Sequence, residues 1–126
     1  MAKETEYQLL SSVNEGILEI IVTGKITANT VKNIDEQIVA LFKTTETRVL
    51  LIDFRAVRER LGITEAYFHV RDCPSELRRV DIALVDLEEN TDHRSFYETM
   101  ASNAGLRTKW FTDLNTARNW LKNGQR

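Results

Sequence analysis

The chain has 126 residues, a hydrophobic fraction of 42%, a charged fraction of 29% and a formal net charge of −2. This length suits a single domain over residues 1–126, with a predicted core from about 7 to 121. The balanced charge excludes the surplus of Lys and Arg that general nucleic-acid binding and polybasic membrane attachment require.

Two further features indicate the compartment. One cysteine, Cys73, cannot form an internal disulfide, so a reducing compartment is the default expectation. The stretch Met1–Glu6 is polar and unlike a signal peptide. No apolar run approaches the roughly 20 residues of a membrane span. We therefore expect a cytoplasmic protein without an integral membrane segment.

The N-terminal third predicts a β-hairpin followed by a helix. Tyr7–Ser12 and Ile17–Thr23 have strand patterns, and the stretch Val13–Gly16 between them has a turn composition that ends in glycine. Thr27 can cap the next helix, because its hydroxyl can accept from a free backbone N–H of the first turn. The apolar stripe of that helix comprises Val31, Ile34, Ile38, Leu41 and Phe42.

The remainder alternates between apolar runs and helical patterns. Val49–Asp53 and Ile82–Asp86 lack polar alternation, which is typical of parallel strands covered on both faces. A helix over Ile63–Val70 is stopped by Pro74. The later elements are a helix over Phe96–Ala104 capped by Gly105, a strand over Arg107–Phe111, and a helix capped by Thr112 or Asp113 that bears Leu114, Ala117 and Leu121.

The resulting order, ββαβαβαβα, predicts an α/β domain. Right-handed crossovers place helices on both faces of a mostly parallel sheet, with the antiparallel first strand at an edge. Because open strand edges invite pairing, a homodimer is one assembly to test.

Ligands of open parallel sheets bind beyond the carboxyl ends of the strands. We predict a loop there, from Arg55 to Gly62, whose arginines and free N–H groups could hold an anion or an acidic partner. The alternative is a solvated loop whose charges pair with Asp53, Glu59 and Glu65. The residues of this predicted charged rim are Asp53, Arg55, Arg58, Glu59, Arg60, Gly62 and Thr64.

Several catalytic motifs fail on inspection. Cys73 and Arg79 have the C-x5-R spacing of cysteine phosphatases, but this stretch leaves a helix and enters a strand, which is the reverse of the required context. Neither His69, near Asp72, nor His93 has a second His or Cys at metal-ligand spacing, so we predict no metal site.

Acidic and aromatic residues near the strand ends also have structural explanations. Asp53 and Asp86 could form an acidic pair for Mg²⁺, but we expect them to end strands and to bond loop N–H groups. Trp110, Phe111 and Trp120 are expected to lock the last helix onto the last strand.

The whole chain resembles the STAS / SpoIIAA-like family, bacterial domains related to anti-sigma-factor antagonists. The resemblance rests on the order ββαβαβαβα and on Leu50-Leu51-Ile52-Asp53 leading into a loop that ends Leu61-Gly62. The patterns Lys109-Trp110-Phe111 and Ala117-Arg118-Asn119-Trp120-Leu121 are also similar to the SpoIIAA-like branch.

The resemblance implies a non-enzymatic module for protein–protein interaction in bacterial signalling. Switch proteins of the family carry a phosphorylatable Ser or Thr just before a Gly-Leu-Gly. Here Glu59 and Arg60 precede Leu61-Gly62, so the usual phosphoacceptor is missing. Glu59 is at most a partial mimic of phosphate, and Thr64 is a poor substitute because it lies on the following helix.

The SpoIIAA-like branch also resembles Sec14-type lipid-binding domains, which implies an alternative function as a carrier of a small molecule or lipid. The pocket would lie between helix and sheet, walled by Tyr67, Val70, Phe96 and Met100. An enzyme acting on a phosphate ester ranks last, because no nucleophile or base has a supporting partner. We therefore predict no enzymatic activity and no cofactor; the expected partner is a protein or a small apolar ligand.

Overall fold

The computed structural model describes residues 7–123, apart from the side chains of Ile63, Tyr67 and residues 91–95. The predicted order of strands and helices is confirmed over this range. The elements are β1 (Tyr7–Asn14), β2 (Ile17–Lys25), α1 (Ala28–Thr45), β3 (Val49–Glu59), α2 (Ile63–Arg71), β4 (Asp81–Val85), α3 (Thr91–Asn103), β5 (Arg107–Phe111) and α4 (Leu114–Asn123).

The five strands form one sheet in the order β1-β2-β3-β4-β5. β1 and β2 pair antiparallel, and the other neighbours pair parallel. The predicted α/β fold class and the edge position of β1 are therefore confirmed. None of the helices in the described part of the chain is long and apolar enough to cross a membrane.

Local chemistry explains the hairpin and the start of α1. Glu15 and Gly16 both have positive φ, at 52° and 82°, which is the backbone of a tight hairpin turn with matching twist. At the start of α1, Thr27 Oγ1 accepts from Thr30 N at 3.2 Å, and Thr27 N donates to Thr30 Oγ1 at 2.9 Å. The predicted cap at Thr27 is confirmed.

The ends of the last two helices also follow from the sequence. Gly105 has φ +78°, and Leu106 N donates to Ala101 O at 2.9 Å, which closes α3 with a glycine in the left-handed position. For α4 the cap is Asp113, whose Oδ2 accepts from Thr116 N at 2.8 Å.

The helices divide unequally between the two faces of the sheet. We call the face covered by α1, α2 and α3 the three-helix face and the other the α4 face. The core of the three-helix face includes Leu18, Ile20, Val22, Ile34, Ile38, Leu50, Ile52, Ile82, Leu84 and Trp110. The core of the α4 face comprises Ile17, Val49, Leu51, Ala83, Val85, Phe111, Ala117 and Leu121.

The predicted loop from Arg55 onward is wrong over most of its length. β3 continues through Glu59, which pairs with Lys25 of β2. Two register shifts interrupt this extension, between Ile21 and Thr23 and again between Gly24 and Lys25 of β2. At such a bulge, one strand has an extra residue opposite a single residue of its neighbour, which disturbs the alternation of side chains. The sequence of this extension therefore lacks the alternating pattern from which a strand is predicted. Only residues 60–62 connect β3 to α2.

The predicted aromatic cluster is also divided between the faces. Phe111 packs against Trp120 of α4, with ring centroids 5.6 Å apart, as expected. Trp110 instead lies on the three-helix face, 6.4 Å from the Tyr97 ring. The reason is the pleat of β5, because successive residues of a strand point to opposite faces.

Candidate functional site: an apolar cavity under three helices

A cavity of about 140 Å³ lies between the three-helix face and the helices α1, α2 and α3. Its walls are mostly hydrocarbon, and each of the three helices contributes side chains to them. The apolar lining includes Val31, Ile34, Ile38, Ile52, Ala66, Val70, Ile82, Leu84, Phe96 and Trp110. The cavity is close in volume to an engineered apolar cavity of about 150 Å³ that takes up benzene.

Ala66, a residue of the short helix α2, is among those that line this space. α2 has nine residues and follows β3 after a connection of three residues. Protein interiors normally pack with few voids larger than a water molecule. A cavity of this size is therefore a specific feature of the three-helix face.

A chain of three polar side chains crosses the helices at this cavity. His69 Nε2 lies 3.0 Å from Asp35 Oδ2, and its Nδ1 lies 3.5 Å from the Tyr97 hydroxyl. The three residues belong to α2, α1 and α3, and all of them line the cavity. The sequence places His69 nearer to Asp72, but Asp72 is an exposed residue at the end of α2.

The Tyr97 phenol stays protonated at neutral pH. Burial raises the pKa of Tyr97 above its ordinary value of 10.0, and the carboxylate of Asp35 raises it further. Both effects disfavour a phenolate. Tyr97 therefore presents a neutral hydroxyl to the cavity.

One buried donor at the cavity has no hydrogen bond. Trp110 is 3% exposed, and its Nε1 has no partner among the described residues. Leaving a buried donor unpaired costs about 1–3 kcal/mol, and buried polar groups are normally satisfied. The sequence analysis did not foresee this unpaired donor on a ring that lines the cavity.

Cys73 lines the same cavity as a thiol. Burial raises its pKa above the ordinary 9.0, and the charge of Asp35 adds to the shift, while Arg78 opposes it. A thiol is a much weaker nucleophile than a thiolate. The phosphatase spacing from Cys73 to Arg79 therefore has no chemical support, because phosphatase chemistry needs a thiolate nucleophile and burial favours the thiol.

The cationic residues of the predicted charged rim are partly neutralised by buried carboxylates. Arg60 forms a two-pronged ion pair with Asp86, with Nη2 at 3.2 Å from Oδ1. Asp86 is 0% exposed and also accepts from Leu87 N at 2.7 Å. Arg55 pairs with buried Asp53 through Nε at 3.0 Å and Nη2 at 2.8 Å.

The other rim residues lie at the surface. Glu59 pairs with Lys25 at 3.3 Å, and Gly62 N donates to Glu65 Oε1 at 3.0 Å. Thr64 is exposed on the first turn of α2. These pairs correspond to the alternative of a solvated segment with paired charges. Partner binding by the rim stays a prediction.

Two residues of the predicted pocket, Val70 and Phe96, line the cavity. Met100 does not line it but packs with Ala66 and Val70 between α2 and α3, one helical turn beyond Phe96. The side chain of Tyr67 lies outside the described residues, as do those of His93 and Asp92. Within the described side chains, no three His, Cys, Asp or Glu residues gather as a metal site.

Comparisons with known proteins bear on the fold. No protein-family model and no curated protein matches the sequence. An anti-sigma factor antagonist from Mycobacterium paratuberculosis superposes with a TM-score of 0.62 at 17% identity, covering 92% of this chain and 94% of the other. An uncharacterised protein with a SpoIIAA-like fold, from the DUF3478 family of Shewanella loihica PV-4, superposes with a TM-score of 0.60 at 17% identity, covering 96% and 98%. The chain has the SpoIIAA-like fold, as the sequence resemblance predicts.

Proposed function

We propose that this chain is a non-enzymatic binding module of the STAS type that holds a small, largely apolar ligand in the cavity under α1, α2 and α3. The observation that supports the proposal is the apolar cavity itself, whose hydrocarbon wall also carries the polar side chains of Asp35, His69 and Tyr97. Ligand sites are typically concave and mostly apolar, with a few placed polar groups.

The free-energy cost of the cavity supports the same proposal. Space left between core side chains lowers stability, because the side chains that line it lose packing contacts. A ligand that fills the space restores packing contacts with the side chains of the wall. Because it binds only the folded state, it also raises the free energy of unfolding.

A toluene titration followed by methyl NMR tests the proposal. We expect the methyl resonances of Ile34, Ile38 and Val70, which line the cavity, to shift. Those of Val49 and Leu51, in the core of the α4 face, serve as internal controls and should stay in place. Native mass spectrometry of freshly purified protein would add the mass of a retained ligand. Absence of any toluene-induced shift at the cavity residues would contradict the proposal.

A second candidate is a protein-interaction module, which would use the charged rim. The structural relative from Mycobacterium paratuberculosis is titled an anti-sigma factor antagonist, which makes a protein partner the natural alternative. Arg58 supports it, because this exposed cation forms no ion pair with any of the side chains that the structure describes. Glu59 would stand where the family's switch proteins carry their phosphoacceptor.

A pull-down from native bacterial lysate tests the rim. Arg58→Glu should lose the partner, whereas Arg79→Glu, at an exposed site just before β4, should keep it. A partner captured equally by both variants would exclude the rim as the contact.

The proposed setting is the bacterial cytoplasm. Pairing of the β1 edges as a homodimer, also proposed, is tested by light scattering.

A further inference from the structure

We propose that two copies of this chain pair along β1 around a two-fold axis at Leu10, so that their sheets join into one. This inference deepens the homodimer proposed above, rests on the same edge of the sheet and does not depend on the cavity. Its starting point is the edge itself. β1 is a strand of eight residues that pairs with β2 on one side without a register shift, and it ends the sheet on its other side.

The residues of β1 do not protect this edge. Edge strands that stay unpaired typically carry charged residues, prolines or bulges that prevent pairing with another chain. Tyr7–Asn14 contains neither a charged residue nor a proline. Five large hydrophobic side chains in the described part of the chain are exposed, and three of them, Leu10, Val13 and Ile21, lie on β1 or β2. The edge therefore favours pairing with another strand.

The flank of α1 beside β1 is also uncharged. Tyr7 Oη donates to Gln37 Oε1 at 2.9 Å, which identifies the flank that α1 turns toward the edge. Its charged residues lie on the outward face and on the flank toward α2, where Asp35 contacts His69. The exposed residues at helical spacing on the flank beside β1 are Asn33, Gln37, Ala40 and Thr44.

The absence of charge on both elements favours a second copy as the occupant. Like charges directly opposite each other on paired strands are destabilising, and self-pairing of β1 brings none together. An acidic or basic partner, in contrast, gains no complementary charge from Tyr7–Asn14. A two-fold axis beside β1 also brings the two uncharged flanks of α1 toward each other.

The exposed side chains on the α4 face select the position of the axis. Leu10 is 61% exposed and lies directly opposite Ile21, which is 41% exposed. Both project from the α4 face, because the neighbouring Leu9 packs against the core of the three-helix face. An antiparallel pair centred on Leu10 sets the Leu10 side chains of the two copies against each other, between the two Ile21 side chains.

The same axis matches the other residues of β1. It places Tyr7 opposite Val13 of the second copy on the three-helix face, which is a favourable aromatic and β-branched pair. It places Gln8 opposite Ser12 on the α4 face, so that polar side chains meet polar ones. A shift of the axis to Leu9 or Ser11 sets Leu10 against one of these polar residues instead.

Light scattering of the full-length chain, at the protein concentration of the NMR titration, measures the assembly. We expect twice the chain mass of 14.5 kDa. Leu10→Lys should give the mass of a monomer, because it sets two like charges against each other at the axis. Leu87→Lys is the matched control. Leu87 is also an exposed hydrophobic residue, but it follows β4, away from the β1 edge, so this variant should remain a dimer.

Disulfide cross-linking tests the register in a Cys73→Ser background. Opposite residues of antiparallel strands have Cα atoms about 4.5–5.5 Å apart, which a disulfide can bridge. Leu10→Cys should therefore give a cross-linked dimer on mild oxidation. Ser12→Cys should not, because the two Ser12 positions are offset by four residues, or about 13 Å along the strands. If Leu10→Lys does not fold, this cross-link still decides the question.

Three outcomes would overturn the inference. The first is a monomeric wild-type protein, the second is a dimer that persists in folded Leu10→Lys, and the third is a cross-link through Ser12→Cys instead of Leu10→Cys. Toluene binding is a separate readout, because Leu10 does not line the cavity. A monomer that binds toluene overturns this inference and leaves the cavity proposal intact, whereas a Leu10-centred dimer that does not bind toluene contradicts the cavity proposal alone.

Discussion

The two faces of the sheet solve the same packing problem with different results. On the α4 face one helix of ten residues covers a compact core, in which Leu121 and Ala117 are fully buried. On the three-helix face three helices cover a larger core and leave a cavity of about 140 Å³. The face with more helices is thus the one that packs less completely.

Polar groups show the same contrast. Beside the α4 face, Arg118 donates to both carboxylate oxygens of Glu19 at 2.7 and 2.9 Å, so both partners are satisfied. On the three-helix face the Trp110 N–H is buried without a partner. The incomplete packing of the three-helix face supports the ligand site proposed above. We infer that the α4 face mainly stabilises the fold and that the three-helix face mainly binds.

The largest expected effect comes from truncating the α4 face. Leu121→Ala removes a fully buried side chain, and such changes cost about 2–5 kcal/mol because a new cavity forms. Urea unfolding would measure the loss. Toluene affinity should stay at the wild-type value, since Leu121 does not line the ligand cavity. A parallel loss of affinity in folded protein would contradict the division between the faces.

A pair of alanine substitutions compares the packing of the faces directly. Ala117→Leu overfills the α4 face and should cost about 1–3 kcal/mol. Ala66→Leu places the same atoms beside the cavity, so its change in unfolding free energy should be smaller. It should also abolish toluene binding, whereas Ala117→Leu leaves binding intact. Equal destabilisation by the two variants would mean that the cavity cannot accept the added atoms.

Alkaline pH should weaken the three-helix face through Tyr97. Its folded-state pKa is raised above 10.0, first by burial, so the unfolded chain ionises at lower pH than the folded protein. Stability is therefore fully present below pH 10.0 and falls as the pH rises beyond it. As the pH rises above 10.0, the urea midpoint of Tyr97→Phe should fall less steeply than that of the protein that keeps Tyr97. Both proteins should carry Cys73→Ser, because the Cys73 pKa is also raised.

The smallest expected effect concerns the cap of α4. Hydrogen bonds from Thr116 lower the pKa of Asp113 below 3.8. The cap thus contributes stability above that pH and loses it as the pH falls through the folded-state pKa. Wild type should exceed Asp113→Ala in urea midpoint at neutral pH, and the difference should shrink in acid. Asp113→Asn, which keeps a capping oxygen, should be almost insensitive to pH in this range.

The sequence predicts the fold well because the relevant signals are local. Unbroken apolar runs mark β3 and β4. Gly105 marks the end of α3, and the capping residues Thr27 and Asp113 mark the starts of α1 and α4. The end of β3 is the exception. There, bulges at Arg55 to Glu59 break the side-chain alternation from which a strand is recognised.

The binding site could be predicted only in outline. Val70 and Phe96 belong to the predicted pocket and line the cavity, because the helical period places them on inward stripes. Met100 lies on the next turn and fills the space between α2 and α3 instead. The period shows which residues of a helix face inward, but the angle at which two helices meet decides which of them reach a cavity.

By itself, the sequence determined the order of strands and helices, their caps and the apolar positions of the core, since each depends on residues a few positions apart. The tertiary structure alone decided that Asp35, His69 and Tyr97 meet, and that Trp110 faces a cavity with its N–H unpaired. These contacts join residues 28 and 34 positions apart. They depend on how three helices pack on one face of the sheet, which no short sequence pattern encodes.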